Sequence, residues 1–136
     1  MTRHATRFED LAAAVRVWAK GLLAAEAAVE LLIGHRLWLY RDDLREVAVE
    51  FGSEAFSGRV MAAVDFEAAA GALQAGVLPS GSSQGQVLRL AASIAAGVPV
   101  DLGGAVSGLD AANAGLVAGA LLHAAGHRDL MVRGAW

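Results

Sequence analysis

Two histidines near the end of the sequence have the spacing of a metal-binding pair. His123 and His127 are four residues apart, and side chains at that spacing project from the same face of an α-helix. Two imidazoles on one face can share a zinc ion, which needs at least one further protein ligand. The metalloprotease helix motif places a glutamate directly after its first histidine, whereas positions 124 and 125 here are both alanine. The pair therefore predicts a metal site only if the fold brings another ligand to it.

A third metal ligand would have to reach the two histidines through tertiary contact. The side chains with suitable donor atoms are His35, Glu26, Glu30, Asp42 and Asp43. The alternative is structural, with His123 packed near the core and His127 at the helix C-terminus, where the helix dipole favours a cation. The sequence leaves both interpretations open. Apart from this conditional metal, we expect no cofactor.

The segment from His35 to Asp43 has the densest mixture of aromatic, cationic and acidic residues in the chain. Histidine and aspartate perform acid–base catalysis, and when Asp42 and Asp43 are buried together, each raises the pKa of the other. Adjacent residues of a helix point in different directions, however. The other interpretation is a solvated turn, in which an aspartate caps a helix while Arg36 and Arg41 form surface ion pairs.

Composition and motifs exclude several other kinds of site. The chain has no cysteine, which excludes disulfides, thiolate metal sites and cysteine nucleophiles. No serine stands in a Gly-x-Ser-x-Gly nucleophile motif. The glycine- and serine-rich run 81–85 is not followed by the lysine of a phosphate-binding loop, since Lys20 is the only lysine. The net charge of −3 argues against direct nucleic-acid binding, even if short C-terminal helices imitate a helix-turn-helix.

The length and the helix signals predict the fold class. The chain has the size of one domain, so we take residues 1–136 as a single helical domain. Hydrophobic residues make up 56% of it and charged residues 18%, a balance that indicates apolar surface hidden in an oligomer. Capping patterns occur at Thr6, Asp43, Ser83 and Asp110. We predict an all-α fold, a compact bundle of five to seven helices with a long N-terminal helix.

The long N-terminal helix is predicted from an apolar heptad pattern that continues for nearly four repeats. It would run from about Arg7 to Ile33 and measure about 40 Å, longer than a compact domain of this size needs. We therefore expect part of it to contact a second copy of the chain, which makes a homodimer the favoured assembly. The residues of this predicted interaction surface are Phe8, Leu11, Val15, Trp18 and Leu22.

The last helix is predicted to extend from Asp110 to His127 and to present a ridge of small residues. Ala111, Gly115 and Gly119 are each four residues apart. A glycine inside a helix costs about 1 kcal/mol relative to alanine, a cost usually tolerated where another backbone comes close. Gly115 and Gly119 therefore join the predicted interaction surface. Membrane helix dimers use the same spacing, but this apolar run is too short to span a membrane, so we predict no membrane span.

Two segments are ambiguous between helix and strand. Residues 45–51 follow a capping pattern formed by Asp43 and Glu46, yet apolar and polar side chains alternate along them as in a strand. The cap favours a helix there. Residues 59–64 favour neither structure. The sequence has no internal repeat.

The second half of the sequence resembles a group of short uncharacterised actinobacterial proteins. The residues that carry the resemblance are Val98-Pro99-Val100-Asp101-Leu102, Gly108-Leu109-Asp110, Asn113, Leu116-Val117, Ala120, His123-Ala124 and Gly126-His127-Arg128. The resemblance implies no activity, cofactor or partner.

The functional prediction follows from a surplus of apolar helix faces over what one small core needs. We expect a non-enzymatic helical interaction or regulatory module that associates with itself. The alternative is a small metal-dependent or acid–base enzyme that uses His123, His127 and the segment from His35 to Asp43. Glu9 and Asp10 interrupt any apolar signal-peptide core near the start, so we expect a cytoplasmic protein.

Overall fold

The computed structural model describes residues 8–130, and the fold of this part of the chain is mostly helical. In chain order the elements are α1 (Phe8–Ala19), α2 (Leu23–His35), α3 (Leu37–Tyr40), α4 (Asp42–Ala48), β1 (Val49–Ser53), β2 (Val60–Val64), α5 (Phe66–Gln74), α6 (Ser82–Ala96), α7 (Leu102–Ser107) and α8 (Ala111–Ala124). Eight helices within these residues exceed the predicted five to seven. The predicted cap at Thr6 lies outside the described residues. None of the helices described is long and apolar enough to cross a membrane.

The all-α prediction is wrong in one place, because β1 and β2 form an antiparallel two-stranded sheet. The ambiguous residues 45–51 are divided between both structures, since α4 ends at Ala48 and β1 begins at the next residue. β2 packs on α1, and its alternate residues Ala62 and Val64 are buried. This burial at every second residue is what a half-buried strand requires. It explains why an alanine-containing run forms a strand here.

The predicted length of the N-terminal helix is also wrong, because α1 and α2 are separate helices. Gly21 has a φ of +94°, a left-handed conformation that favours glycine and ends a right-handed helix. Leu22 is then extended and precedes the first residue of α2. The two helices pack against each other and do not form one rod. The apolar pattern continues across the break, so periodicity alone could not show it.

α2 is the central helix of the fold. It packs against α1, α6 and α8, and Ala27, Ala28 and Leu31 on it are buried. At Gly34, a Cβ would lie 2.7 Å from Leu116 Cδ2 of α8. The absence of a side chain at this position leaves room for the Leu116 side chain against α2.

α8 runs antiparallel to α2. Near the start of α8, the charge of Asp110 acts on His35 at the end of α2. Near the end of α8, His123 contacts Glu26 in the first turn of α2. At 1.5 Å of rise per residue, Asp110 and His123 are about 20 Å apart. Because the two helices are antiparallel, His35 lies near the start of α8, whereas His123 lies near its end.

Candidate functional site

A hydrogen-bonded pair, a buried histidine and a partly exposed glutamate, joins the end of α8 to the start of α2. His123 is 7% exposed, and its Nε2 lies 3.0 Å from Glu26 Oε1. A carboxylate has no proton to donate, so the imidazole nitrogen carries the hydrogen and donates it. Glu26 is one of the side chains that the sequence offers as a further ligand for the histidines. The structure brings it to His123 across 97 positions of sequence.

The second oxygen of Glu26 is held by the turn between α1 and α2. The Gly21 N–H donates to Glu26 Oε2 at 2.8 Å. This backbone hydrogen bond and then the one from His123 lower the pKa of Glu26, and the positive charge of Arg128 acts in the same direction. Glu26 is therefore ionised at neutral pH. With one oxygen fixed by the backbone, the other sets the tautomer and the orientation of the imidazole ring.

The pair lines a cleft of about 220 Å³ between the end of α1, α2 and the segment after α8. Arg16, Lys20 and Arg128 also line it, together with Glu30. Arg16 is already engaged, because its Nε and Nη2 donate to the two Glu30 oxygens at 2.7 and 3.0 Å. Lys20 and Arg128 form no salt bridge with any residue in the range 8–130. The cleft thus combines a buried proton-carrying group with two cations that the described residues do not neutralise by contact.

His127 does not share a helix face with His123. α8 ends at Ala124, Gly126 has a φ of +86°, and the His127 N–H bonds to the Leu122 carbonyl at 2.8 Å. This pattern is the Schellman reversal that ends many helices. The four-residue spacing predicts a common face only inside a helix, and His127 lies exposed beyond it.

The described residues contain no group of three or more histidine, cysteine, aspartate or glutamate side chains that could hold a metal ion. His123 keeps one such neighbour, Glu26. A metal site that also uses His127 stays a prediction from the sequence.

His35 does not converge with the histidines at the end of α8, because it lies near Asp110 at the opposite end. Burial lowers the pKa of His35, and the charge of Asp110 opposes that change. Its Nδ1 is buried and has no hydrogen-bond partner among the described residues. An imidazole in this environment is neutral at neutral pH.

The two aspartates at the end of the segment from His35 to Asp43 bind different arginines. Arg41 donates from Nε and Nη2 to both oxygens of Asp43, at 2.9 and 2.5 Å, and this contact lowers the pKa of Asp43. Asp42 pairs with Arg45. Arg41 also lies over the Trp38 ring, 4.7 Å from its centre. Because each carboxylate has its own cation, the geometry matches the solvated turn with ion pairs and not a proton-sharing aspartate pair.

Most of the predicted interaction residues on α1 pack against the core of their own chain. Leu11 and Val15 are 1% and 0% exposed, and they belong to the core. Phe8 and Trp18 are partly buried against that core. Leu22, which follows the break after α1, is 66% exposed. Of these five residues, Leu22 is the one most available to a partner.

Comparison with protein-family models, with curated proteins and with solved structures gives no significant match. The sequence alone does not identify Gly21, Lys20 or Arg128 as parts of this site. A weak signal is present in Lys20-Gly21, because a cation followed by glycine after an apolar run is typical of a helix C-terminus.

Proposed function

We propose that this protein is a non-enzymatic helical interaction module that self-associates through the outer face of α8. The observation that carries the proposal is the orientation of α8. Its only two polar side chains, Asn113 and His123, are engaged by their own chain. Asn113 Nδ2 donates to Ser83 Oγ at 3.4 Å, and His123 bonds to Glu26. A helix that directs its polar side chains inward leaves an uncharged surface outside.

The outer face of α8 consists of small residues and leucine. Its exposed residues are Ala111, Ala112, Ala114, Gly115, Gly119 and Leu121. A Cβ at Gly115 or Gly119 would meet no atom of the described residues within 4 Å. Nothing in this part of the chain therefore requires glycine there, although each glycine costs about 1 kcal/mol relative to alanine. Close approach by a second molecule gives both glycines a physical reason.

Exposed leucines extend this surface at the end of α8. Leu22 and Leu23 are 66% and 47% exposed. Leu23 Cδ1 lies 3.7 Å from the position that a Cβ at Gly126 would take, so the start of α2 adjoins the end of α8. Leu121 adds a further apolar side chain that is 49% exposed.

The occupant that we propose for this surface is a second copy of the same chain. The exposed face of α8 has no charged side chain, so it offers nothing that would select a partner of opposite charge. A smooth face of small residues is instead complementary to itself. Two copies related by a two-fold axis can cross at Gly115 and Gly119 and bury the same residues on both sides.

Sedimentation equilibrium at tens of micromolar tests this function. We expect a dimer for the natural chain and a monomer for Gly115→Glu, because like charges would face each other across the two-fold axis. The control is Gly71→Glu, since Gly71 is an exposed helical glycine on α5 where a Cβ would also meet no described atom. It should leave the dimer intact. A monomeric natural chain, or equal dissociation by both variants, would contradict the proposal.

A small metal-dependent or acid–base enzyme is the alternative function. The observation in its favour is the hydrogen bond between Glu26 and the buried His123 in a cleft. Metal analysis of protein purified without a histidine tag tests the metal version. A metal-free protein whose unfolding temperature does not respond to a chelator would remove it.

A further inference from the structure

We propose that the cleft between α1, α2 and the segment after α8 binds a small oxyanion, either an organic carboxylate or a phosphate. This binding site shares no lining residue with the α8 surface, although it adjoins the exposed leucines at one end of that surface, and it does not depend on self-association. It rests on the two cations, the buried imidazole and the size of the cleft.

Lys20 and Arg128 give the cleft its positive charge. Both line it, and neither forms a salt bridge within residues 8–130. Arg16 and Glu30 neutralise each other through two hydrogen bonds. Among the lining residues, the three cations exceed the two carboxylates by one. Glu54 lies outside the lining, but its charge also interacts with Lys20.

His123 adds a directed hydrogen-bonding group to this charge. Its Nε2 bonds to Glu26, and no hydrogen bond joins its Nδ1 to a described residue. An imidazole nitrogen accepts a hydrogen bond when it carries no proton and donates one when it does. A ligand that has both an anionic oxygen and an O–H group, such as hydrogen phosphate or a hydroxy acid, would satisfy the cations and the imidazole together.

The cleft has a volume of about 220 Å³ and is open to solvent on one side. A phosphate, or a carboxylate with a short organic group, can therefore enter it.

The cations also have a competing structural explanation, which the experiment has to separate from binding. Lys20 directly follows α1, and Arg128 lies shortly after the end of α8. Cations at helix C-termini stabilise the helix dipole. That explanation predicts a loss of stability when the cations are removed, but it predicts no ligand.

The test is a ¹H–¹⁵N NMR titration of the full chain with inorganic phosphate and, separately, with lactate, each against sodium chloride of equal ionic strength. We expect saturable shifts at the amides of Gly21, Glu26 and His123. The double variant Lys20→Met/Arg128→Gln should bind about tenfold or more weakly. The control variant Arg36→Gln, which removes an exposed cation at the opposite end of α2, should bind as the natural chain does.

Saturation by phosphate alone assigns the ligand to the phosphate class, and saturation by lactate alone assigns it to the hydroxy acids. Shifts that grow linearly at all surface cations, or none beyond those of chloride, would overturn the proposal. A double variant that loses stability yet binds equally well would also overturn it, in favour of the helix-end explanation. The Gly115→Glu variant should bind phosphate or lactate unchanged, so failure of self-association and failure of binding are distinguishable.

Discussion

Glu26 receives hydrogen bonds from two parts of the chain, the Gly21 N–H and the His123 ring. Its pKa is lowered in the folded protein by these contacts, first by the one from Gly21. The folded chain therefore binds fewer protons than the unfolded chain at acidic pH. The resulting stabilisation is complete above the ordinary glutamate pKa of about 4.3 and is lost as pH falls through the folded value.

Glu26→Gln should remove this pH-dependent stabilisation. We expect the variant to unfold about 1 kcal/mol more easily at pH 7, since hydrogen bonds to a charged group are replaced by neutral ones. The difference from the natural chain should shrink below about pH 4. Urea unfolding at both pH values measures it, with Glu46→Gln on the exposed side of α4 as the control. A difference independent of pH would show that the charge of Glu26 does not stabilise the fold.

Gly21 has a backbone conformation that other residues rarely adopt. A Cβ there would meet no described atom within 4 Å, so Gly21→Ala creates no clash and affects only the backbone at φ +94°. We expect a loss of about 1 kcal/mol in the free energy of unfolding. The matched control Gly71→Ala, also in open space but inside α5, should gain about 0.5 to 1 kcal/mol. If both variants are stabilised, the left-handed turn is not required for the fold.

The glycines of α8 should affect monomer stability and dimer association in opposite directions. Gly115→Ala and Gly119→Ala should each stabilise an isolated monomer by about 0.5 to 1 kcal/mol, because alanine favours helix and no described atom obstructs its methyl group. The same methyl groups keep two α8 helices apart, so the dimer should weaken. Urea unfolding at low protein concentration and sedimentation equilibrium measure the two effects. Stronger association in both variants would show that the glycines are not at the contact.

The predicted caps at Asp43 and Ser83 are wrong, because these residues lie inside α4 and α6, and neither helix start has a side-chain capping hydrogen bond. The predicted cap at Asp110 is confirmed. Its carboxylate accepts from the Asn113 N–H at 2.8 Å at the start of α8, as its position before an apolar run indicates. Such caps involve residues three apart, so the sequence contains both partners.

The elements and contacts that the sequence misses depend on distant residues. Val60 to Val64 forms a strand because it pairs with β1 and packs on α1, and neither contact is visible in the segment itself. The sequence does not predict the break at Gly21, because the apolar residues on its two sides follow the same heptad pattern. Likewise, no sequence spacing predicts the contact between Glu26 and His123. The four-residue spacing predicts that His123 and His127 share a helix face, but α8 ends at Ala124, so this prediction fails.

For the molecule as a whole, three groups with a lowered pKa predict that the free energy of unfolding changes with pH in one direction. Hydrogen bonds lower the pKa of Glu26 and Asp43, and burial lowers the pKa of His35. Each group binds fewer protons in the folded chain than in the unfolded chain. By linkage, the free energy of unfolding then rises with pH wherever these groups titrate.

Stability should therefore increase as pH rises from the acidic range to about pH 6.5, the ordinary histidine pKa, and then level off. Urea unfolding curves across this range measure it. Glu26→Gln should flatten the acidic part of the rise, because a carboxylate titrates there. His35→Gln should flatten the part nearest neutral pH, because the penalty for protonating the buried imidazole changes with pH only between its lowered pKa and its ordinary one. Stability that falls as pH rises through this range would mean that the folded chain binds protons more tightly, which is the opposite of what the surroundings of Glu26, Asp43 and His35 imply.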